Sequence, residues 1–207
     1  MYDSPVTLLI IVATCVVSFK AFSDARLIDR MILWPPAITN RGEYWRLFTC
    51  GLIHADGPHL FFNMFTLYFF GGYMEHFYDR DIGAIGFLLF YAGGLAVSCL
   101  PSYLRHKTDY HYRSLGASGA VSAVLFAYIL LRPWSRILIF GAIPMPAIVY
   151  AALYLAYTIY MDRQRTDHIN HSAHLWGAIY GVVVTMLIDP RVLSNFLYQL
   201  TRYGALQ

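Results

Sequence analysis

Residues 114–131 read Ser-Leu-Gly-Ala-Ser-Gly-Ala-Val-Ser-Ala-Val-Leu-Phe-Ala-Tyr-Ile-Leu-Leu, and Arg132-Pro133 follow. No charge interrupts the run, so it suits a helix whose solvent is hydrocarbon, and the proline stops it. Its first turns are built of the smallest residues, which let two helix backbones approach closely inside a membrane. Outward from this stretch, five more apolar segments appear, at 5–22, 58–78, 82–100, 144–161 and 172–188, several of them closed by proline. Together with 115–131 they predict an all-α membrane protein of six transmembrane helices, one domain over residues 1–207.

Composition points the same way. The 207 residues are 58% hydrophobic and 13% charged, against about 25% charged in soluble domains. A net charge of +3 supplies no basic stripe for a phosphate backbone, which excludes nucleic acid as a partner and leaves the lipid bilayer. Cys15, Cys50 and Cys99 lie in or beside apolar runs and are expected to be small buried hydrophobes rather than a disulfide framework. The first segment has no Lys or Arg before it and no small-residue cleavage site after it, so a retained span is expected rather than a signal peptide. The connection between Lys20 and Pro58 mixes Trp34, Pro35, Pro36, Tyr44 and Trp45 with Arg41, Glu43 and Arg46, which suits the headgroup layer. Val192, Phe196, Leu197 and Leu200 recur at helical spacing and predict a short interfacial helix after Pro190. Six spans leave Arg80, Arg132, Arg136, Arg191 and Arg202 on the side of the N-terminus and twice as many Lys and Arg opposite. The positive-inside rule then puts the N-terminus outside.

Polar side chains inside apolar segments are costly, and each is a candidate for function. His59 and Asn63 are four apart and share one helical face. Ser118 opens its helix, where unpaired N–H groups and the positive end of the dipole favour an anion. A serine hydroxyl needs a base, and His174 lies in the first turn of the sixth segment, at similar depth if both helices enter from one side. Gly177 and Gly181 form a Gly-x-x-x-Gly face that can seat against Gly119, Ser122 or Ala123, and Ala127. That combination predicts a Ser118–His174 dyad for acyl transfer, with the Ser118 N–H and the His59 and Asn63 side chains as oxyanion donors. Gly-Ala-Ser-Gly alone is commonly just a helix contact, and a histidine at a helix start is commonly an interfacial hydrogen-bonder. His168, His171 and His174 at three-residue spacing spread over about 120° of a helix with no carboxylate or Cys to complete a shell, so no metal and no cofactor is expected. Glu75 reads as structural.

These residues carry a resemblance to the rhomboid family of intramembrane serine proteases. It rests on Trp45-Arg46, on His54 followed by His59-Leu60-Phe61-Phe62-Asn63, on Gly71-Gly72 with Glu75, on Gly116-Ala117-Ser118-Gly119, and on Ala173-His174 followed by Gly177 and Gly181. The resemblance implies Ser118 as nucleophile, His174 as general base, and His59, Asn63 and the Ser118 N–H as oxyanion hole. It further implies Trp45, Arg46 and Glu75 as framework, His54 near the site, transmembrane protein substrates, and a bacterial inner membrane. Against the charge count, it also implies a cytoplasmic N-terminus and a site facing the exterior. The pattern departs at Ser122, where members of the family often carry an aromatic, usually tyrosine, packed on the histidine ring. Here the ring would be held by a hydrogen bond to Ser122 or by another aromatic such as Trp176. Two competing readings are a pseudoprotease that binds membrane clients without cutting them, which intact Ser118 and His174 oppose, and a small transporter, for which internal symmetry would be expected.

Overall fold

The computed structural model describes residues 4–139, 142–164 and 169–201. The helix α1 (Pro5–Ala21) buries Thr7, Thr14 and Ser18 while Leu8, Leu9, Val12, Val16 and Phe19 face outward. Polar inside and apolar outside is the inverse of a helix in water, and it fits a surrounding hydrocarbon. Glu75 begins this helix, accepting from the N–H groups of Val6 (2.9 Å) and Thr7 (2.7 Å) and from the Thr7 hydroxyl. A buried carboxylate on a helix N-terminus offsets both its own desolvation and the orphan donors. Sequence reading gave Glu75 a structural role, and this is the form it takes.

The connection after α1 is three short helices, α2 (Ala25–Met31), α3 (Pro35–Arg41) and α4 (Arg46–Thr49), with a 3-10 turn at Cys50–Leu52. Arg46, buried, ties them together: its guanidinium donates to Glu43 (2.6 Å) and to the carbonyls of Asp29 (2.7 Å) and Ile32 (2.8 Å). Trp45 instead exposes its ring on the outer face. The three cysteines are free, and Cys50 and Cys99 meet at 3.7 Å between sulfurs.

The long element α5 (Gly57–Arg105) breaks at Gly83, whose φ of 72° and ψ of 171° suit only glycine. Tyr78 and Phe90, on either side of the break, have ring centroids 4.6 Å apart, so the chain folds back there into two arms, 57–82 and Ile85–Arg105. The break falls at the start of the third apolar segment, expected at 82–100, and helix continues past the expected end of the second at 78. The helix α6 (Ser118–Leu131), almost wholly buried, is the centre of the molecule, flanked by both arms of α5, by α7 (Ala147–Gln164) and by α8 (His171–Ile188). The amphipathic α9 (Arg191–Thr201) follows Pro190 as expected and packs on α6 through Val192 and Phe196.

Two expectations are corrected. Residues 144–146 do not open a helix: β1 (Arg136–Ile139) and β2 (Ile143–Pro146) form an antiparallel hairpin with Leu138 opposite Pro144 and Arg136 opposite Pro146. The mostly helical chain is therefore not all-α. Proline disfavours helical backbone in the residue before it, so Ile143-Pro144-Met145-Pro146 is driven to be extended. The fourth segment becomes helical only at Ser118, three residues later than expected, because Gly116 takes a φ of 112°. Among the described residues, two helices are long and apolar enough to cross a bilayer, Ile85–Arg105 and His171–Ile188, while α1 and α6 are apolar but shorter.

Candidate active site

Three helix starts among the described residues are closed by the side chain of their own capping residue. Asp24 accepts from the N–H groups of Arg26 and Leu27, Asp56 from that of His59, and Asn170 from that of Ala173. At α6 the capping position is Ala117, which has no acceptor to offer. Ser118 is the first helical residue, so its hydroxyl stands beside first-turn N–H groups that no side-chain cap occupies.

The loop leading into Ser118 is fixed by the connection after α1. Leu33 and Ser114 exchange two backbone hydrogen bonds (2.9 and 3.2 Å), and the Gly116 N–H donates to the Cys50 carbonyl at 2.9 Å. His59 packs its ring under Gly116, where a Cβ would stand 2.6 Å from Cε1. His54, fully buried, accepts from the Ala117 N–H through Nε2 at 3.3 Å. That contact leaves the proton on Nδ1, which donates to Ser18 Oγ at 2.9 Å, and Ser18 in turn donates to the Leu52 carbonyl. Burial, reinforced by the neighbouring His59, lowers the His54 pKa to about 3, which keeps the ring neutral and this relay intact. The resemblance placed His54 near the site, and its contact is with the residue before Ser118.

His174 Nε2 and Ser118 Oγ are 2.8 Å apart. The approach depends on glycine: a Cβ on Gly177 would stand 2.8 Å from the carbonyl carbon of Gly119 and press into its oxygen, and one on Gly181 would stand 2.7 Å from that of Ala123. Asn170 aims the start of α8, donating to Tyr112 Oη (3.1 Å) and Ser114 Oγ (3.2 Å) and accepting from Ser102 Oγ (3.0 Å). Ser118, His174, His59 and Asn63 line one cavity of about 690 Å³. Asn63, buried, donates through Nδ2 to the His59 carbonyl at 2.9 Å, leaving its second amide hydrogen for a ligand.

The aromatic that lies against the His174 ring is Tyr154 rather than Trp176. Trp176 is 43% exposed on the outer face of α8. Ser122 Oγ is hydrogen-bonded at 2.8 Å to Tyr154 Oη, and the Tyr154 ring lies over His174 at 6.1 Å between centroids and 25° between planes. Sequence reasoning missed Tyr154, because four tyrosines on α7 carry no sign of which one faces inward. It also missed Asn170, although an asparagine just before an apolar helical run is a capping signal. His168 and residues 165–167 of the connection into α8 lie outside the described residues. His171 and His174 meet edge to face, with centroids 5.9 Å apart.

Comparison with known proteins bears directly on this geometry. The model of the Rhomboid domain matches residues 41–191, which include all four residues of the candidate site. The chain is 31% identical over 163 residues to YdcA of Bacillus subtilis, 76% of each chain. It is 26% identical over 192 residues to Rhomboid protease GlpG of Haemophilus influenzae, 91% of this chain and 93% of that one. Similarity to RHOMBOID-like protein 12, mitochondrial, of Arabidopsis thaliana is 28% over 155 residues, and the match spans only 46% of that longer protein. With the matched domain covering most of its length, this chain belongs to the rhomboid family.

Proposed function

We propose that the chain is an intramembrane serine endopeptidase that cleaves single-span membrane proteins in or near their transmembrane segment. The observation that carries the reading is the 2.8 Å contact of Ser118 Oγ with His174 Nε2 at a helix start whose capping residue has no acceptor. His174 takes the Ser118 proton as Oγ attacks the scissile carbonyl, then returns it to the leaving amine, and water hydrolyses the acyl-enzyme by the same route. The negative oxygen of the tetrahedral intermediate is met by the Ser118 N–H, the free amide hydrogen of Asn63 and the His59 ring. No metal and no cofactor takes part.

Six spans fit this reading: α1, both arms of α5, α6, α7 and α8. The 14 residues of α6 extend about 21 Å, less than a hydrocarbon core of about 30 Å, so a centred α6 begins below the membrane surface and takes Ser118 with it. The cavity supplies the water that hydrolysis needs at that depth. A spanning substrate keeps its amides bonded within a helix and must unwind before attack, so small or helix-breaking residues near the cleaved bond are favoured. α1 begins beside Glu75 and ends beside the loops of the site, so the N-terminus and Ser118 sit at opposite ends. We assign the first to the cytoplasm and the second to the exterior of a bacterial membrane. Purified protein in detergent, given a fluorescent transmembrane substrate, is expected to cleave it, and Ser118→Ala and His174→Ala to abolish cleavage. Binding without cleavage by the wild type would favour a client-binding relative instead.

A further inference from the structure

An imidazole that serves as general base must hold one nitrogen on the nucleophile, and rotation about its Cβ–Cγ bond costs little unless packing opposes it. Tyr154 stands where that opposition is needed. It projects from α7 into the gap between α6 and α8, its ring near parallel to His174 at 6.1 Å. The ring is itself located from three sides: Ser122 Oγ at 2.8 Å on its hydroxyl, Phe126 at 5.5 Å and Tyr150 at 5.8 Å. Ser122 is four residues after Ser118, on the same face of α6. The contacts close a circuit: Ser118 of α6 to His174 of α8, His174 to Tyr154 of α7, and Tyr154 back to Ser122 of α6.

We propose that Tyr154 is the positioning residue of the His174 base, locked by its hydrogen bond to Ser122, so that catalytic geometry is assembled only while α7 is seated on α6 and α8. The proposal rests on the protease reading above. Ser122, a small residue on α6, leaves room for a ring delivered from α7. α7 packs on α6 and α8 through Ala147, Ala151 and the half-buried Tyr150, Tyr154 and Leu155, against Leu125, Phe126, Ile129 and Ala178, and Tyr157 meets His171 edge to face at 5.5 Å; among these side chains Tyr154 is the one stacked on the His174 ring. Tyr154 therefore couples the seating of α7 to the dyad.

The test compares wild type, Tyr154→Phe, Ser122→Ala, the double variant Tyr154→Phe/Ser122→Ala, and Tyr154→Leu on a fluorescent transmembrane substrate in detergent, with kcat, KM, thermal midpoint and the pH profile of kcat. Tyr154→Phe and Ser122→Ala remove one shared hydrogen bond, so each is expected to lower kcat on the order of 5-fold with KM unchanged, and the double variant no further. Tyr154→Leu removes the ring as well and is expected to lower kcat about 30-fold or more and to move the His174 limb of the pH profile, as water reaches the imidazole. Ser122→Phe in the Tyr154→Leu background returns a ring from α6 and is expected to recover part of the loss. A lower thermal midpoint with kcat and pH profile of the wild type would overturn the proposal, and so would additive losses in the double variant. Should Tyr154→Leu not fold, the two single-bond variants and their double still decide. Activity that depends on Ser118 and His174 but ignores Tyr154 overturns this inference alone, whereas a wild type indifferent to Ser118→Ala overturns the protease reading and this inference with it.

Discussion

Gly177→Ala sets one methyl group against the contact of Ser118 with His174. The added carbon would stand 2.8 Å from the carbonyl carbon of Gly119 and 3.1 Å from its Cα, with ordinary contact beginning at 3.4 Å. Those atoms are backbone of a buried helix and cannot rotate away, so α8 must retreat from α6, by about 0.7 Å to clear the carbon to a comfortable 3.5 Å and by more to clear the oxygen. The contact lies next to Ser118 along α6 and one turn from His174 along α8. A retreat of that size lengthens the 2.8 Å contact between Ser118 and His174 to about 3.5 Å, past useful hydrogen bonding. A misplacement near 1 Å costs about 100-fold in rate, and overpacking about 1–3 kcal/mol in stability. Gly181→Ala makes the same collision with Ala123 one turn further from the dyad, so it should lower stability comparably and kcat much less. The assay is kcat and thermal midpoint for both variants in detergent. Equal kcat losses, or a Gly177→Ala enzyme as fast as wild type, would refute the claim that this glycine seam sets the dyad distance.

Further outcomes follow from the same contacts. Asn63→Ala should lower kcat about 10-fold or more with KM nearly unchanged, because its free amide hydrogen acts on charge that exists only in the transition state; a raised KM alone would assign it to substrate binding. Glu75→Gln should cost about 1–3 kcal/mol, seen as a lower thermal midpoint, by weakening the cap of α1, yet leave kcat near wild type because the cap lies at the end of α1 away from the site. His54 is held neutral, its pKa lowered from 6.5 to about 3. The unfolded chain therefore binds more protons between those values, and this contribution to stability, complete above 6.5, is lost as pH falls towards 3. The thermal midpoint of wild type should accordingly fall more steeply from pH 6.5 to 4 than that of His54→Gln, and parallel curves would contradict the assignment.

How far the sequence could be read depended on whether a contact was local. Small residues at 119 and 123 facing glycines at 177 and 181 announce a close helix pair, and parity of the spans puts Ser118 and His174 at one depth, so the contact between those two side chains was legible before any coordinates. Glu75 was legible as structural, because a carboxylate in an apolar segment needs partners. Tyr154 was not, since its role depends on the rotation of α7 about its own axis and on the gap opposite Ser122, neither of which spacing encodes. The pairing of β1 with β2 was missed although Pro144 and Pro146 signal extended chain, because the apolar count of 144–161 outweighed the local backbone rule. Ser118 as the first helical residue depends on the positive φ of Gly116, and a glycine in the sequence gives permission for that conformation without requiring it.

The central claim is that His174 activates Ser118, and the labelling of Ser118 by a fluorophosphonate, followed by intact mass and peptide mapping, tests it most directly. The account predicts one adduct on Ser118 in the wild type, formed at the same rate with and without a metal chelator, and its collapse in His174→Ala. Equal labelling of the two proteins, or an adduct on another residue, would contradict it.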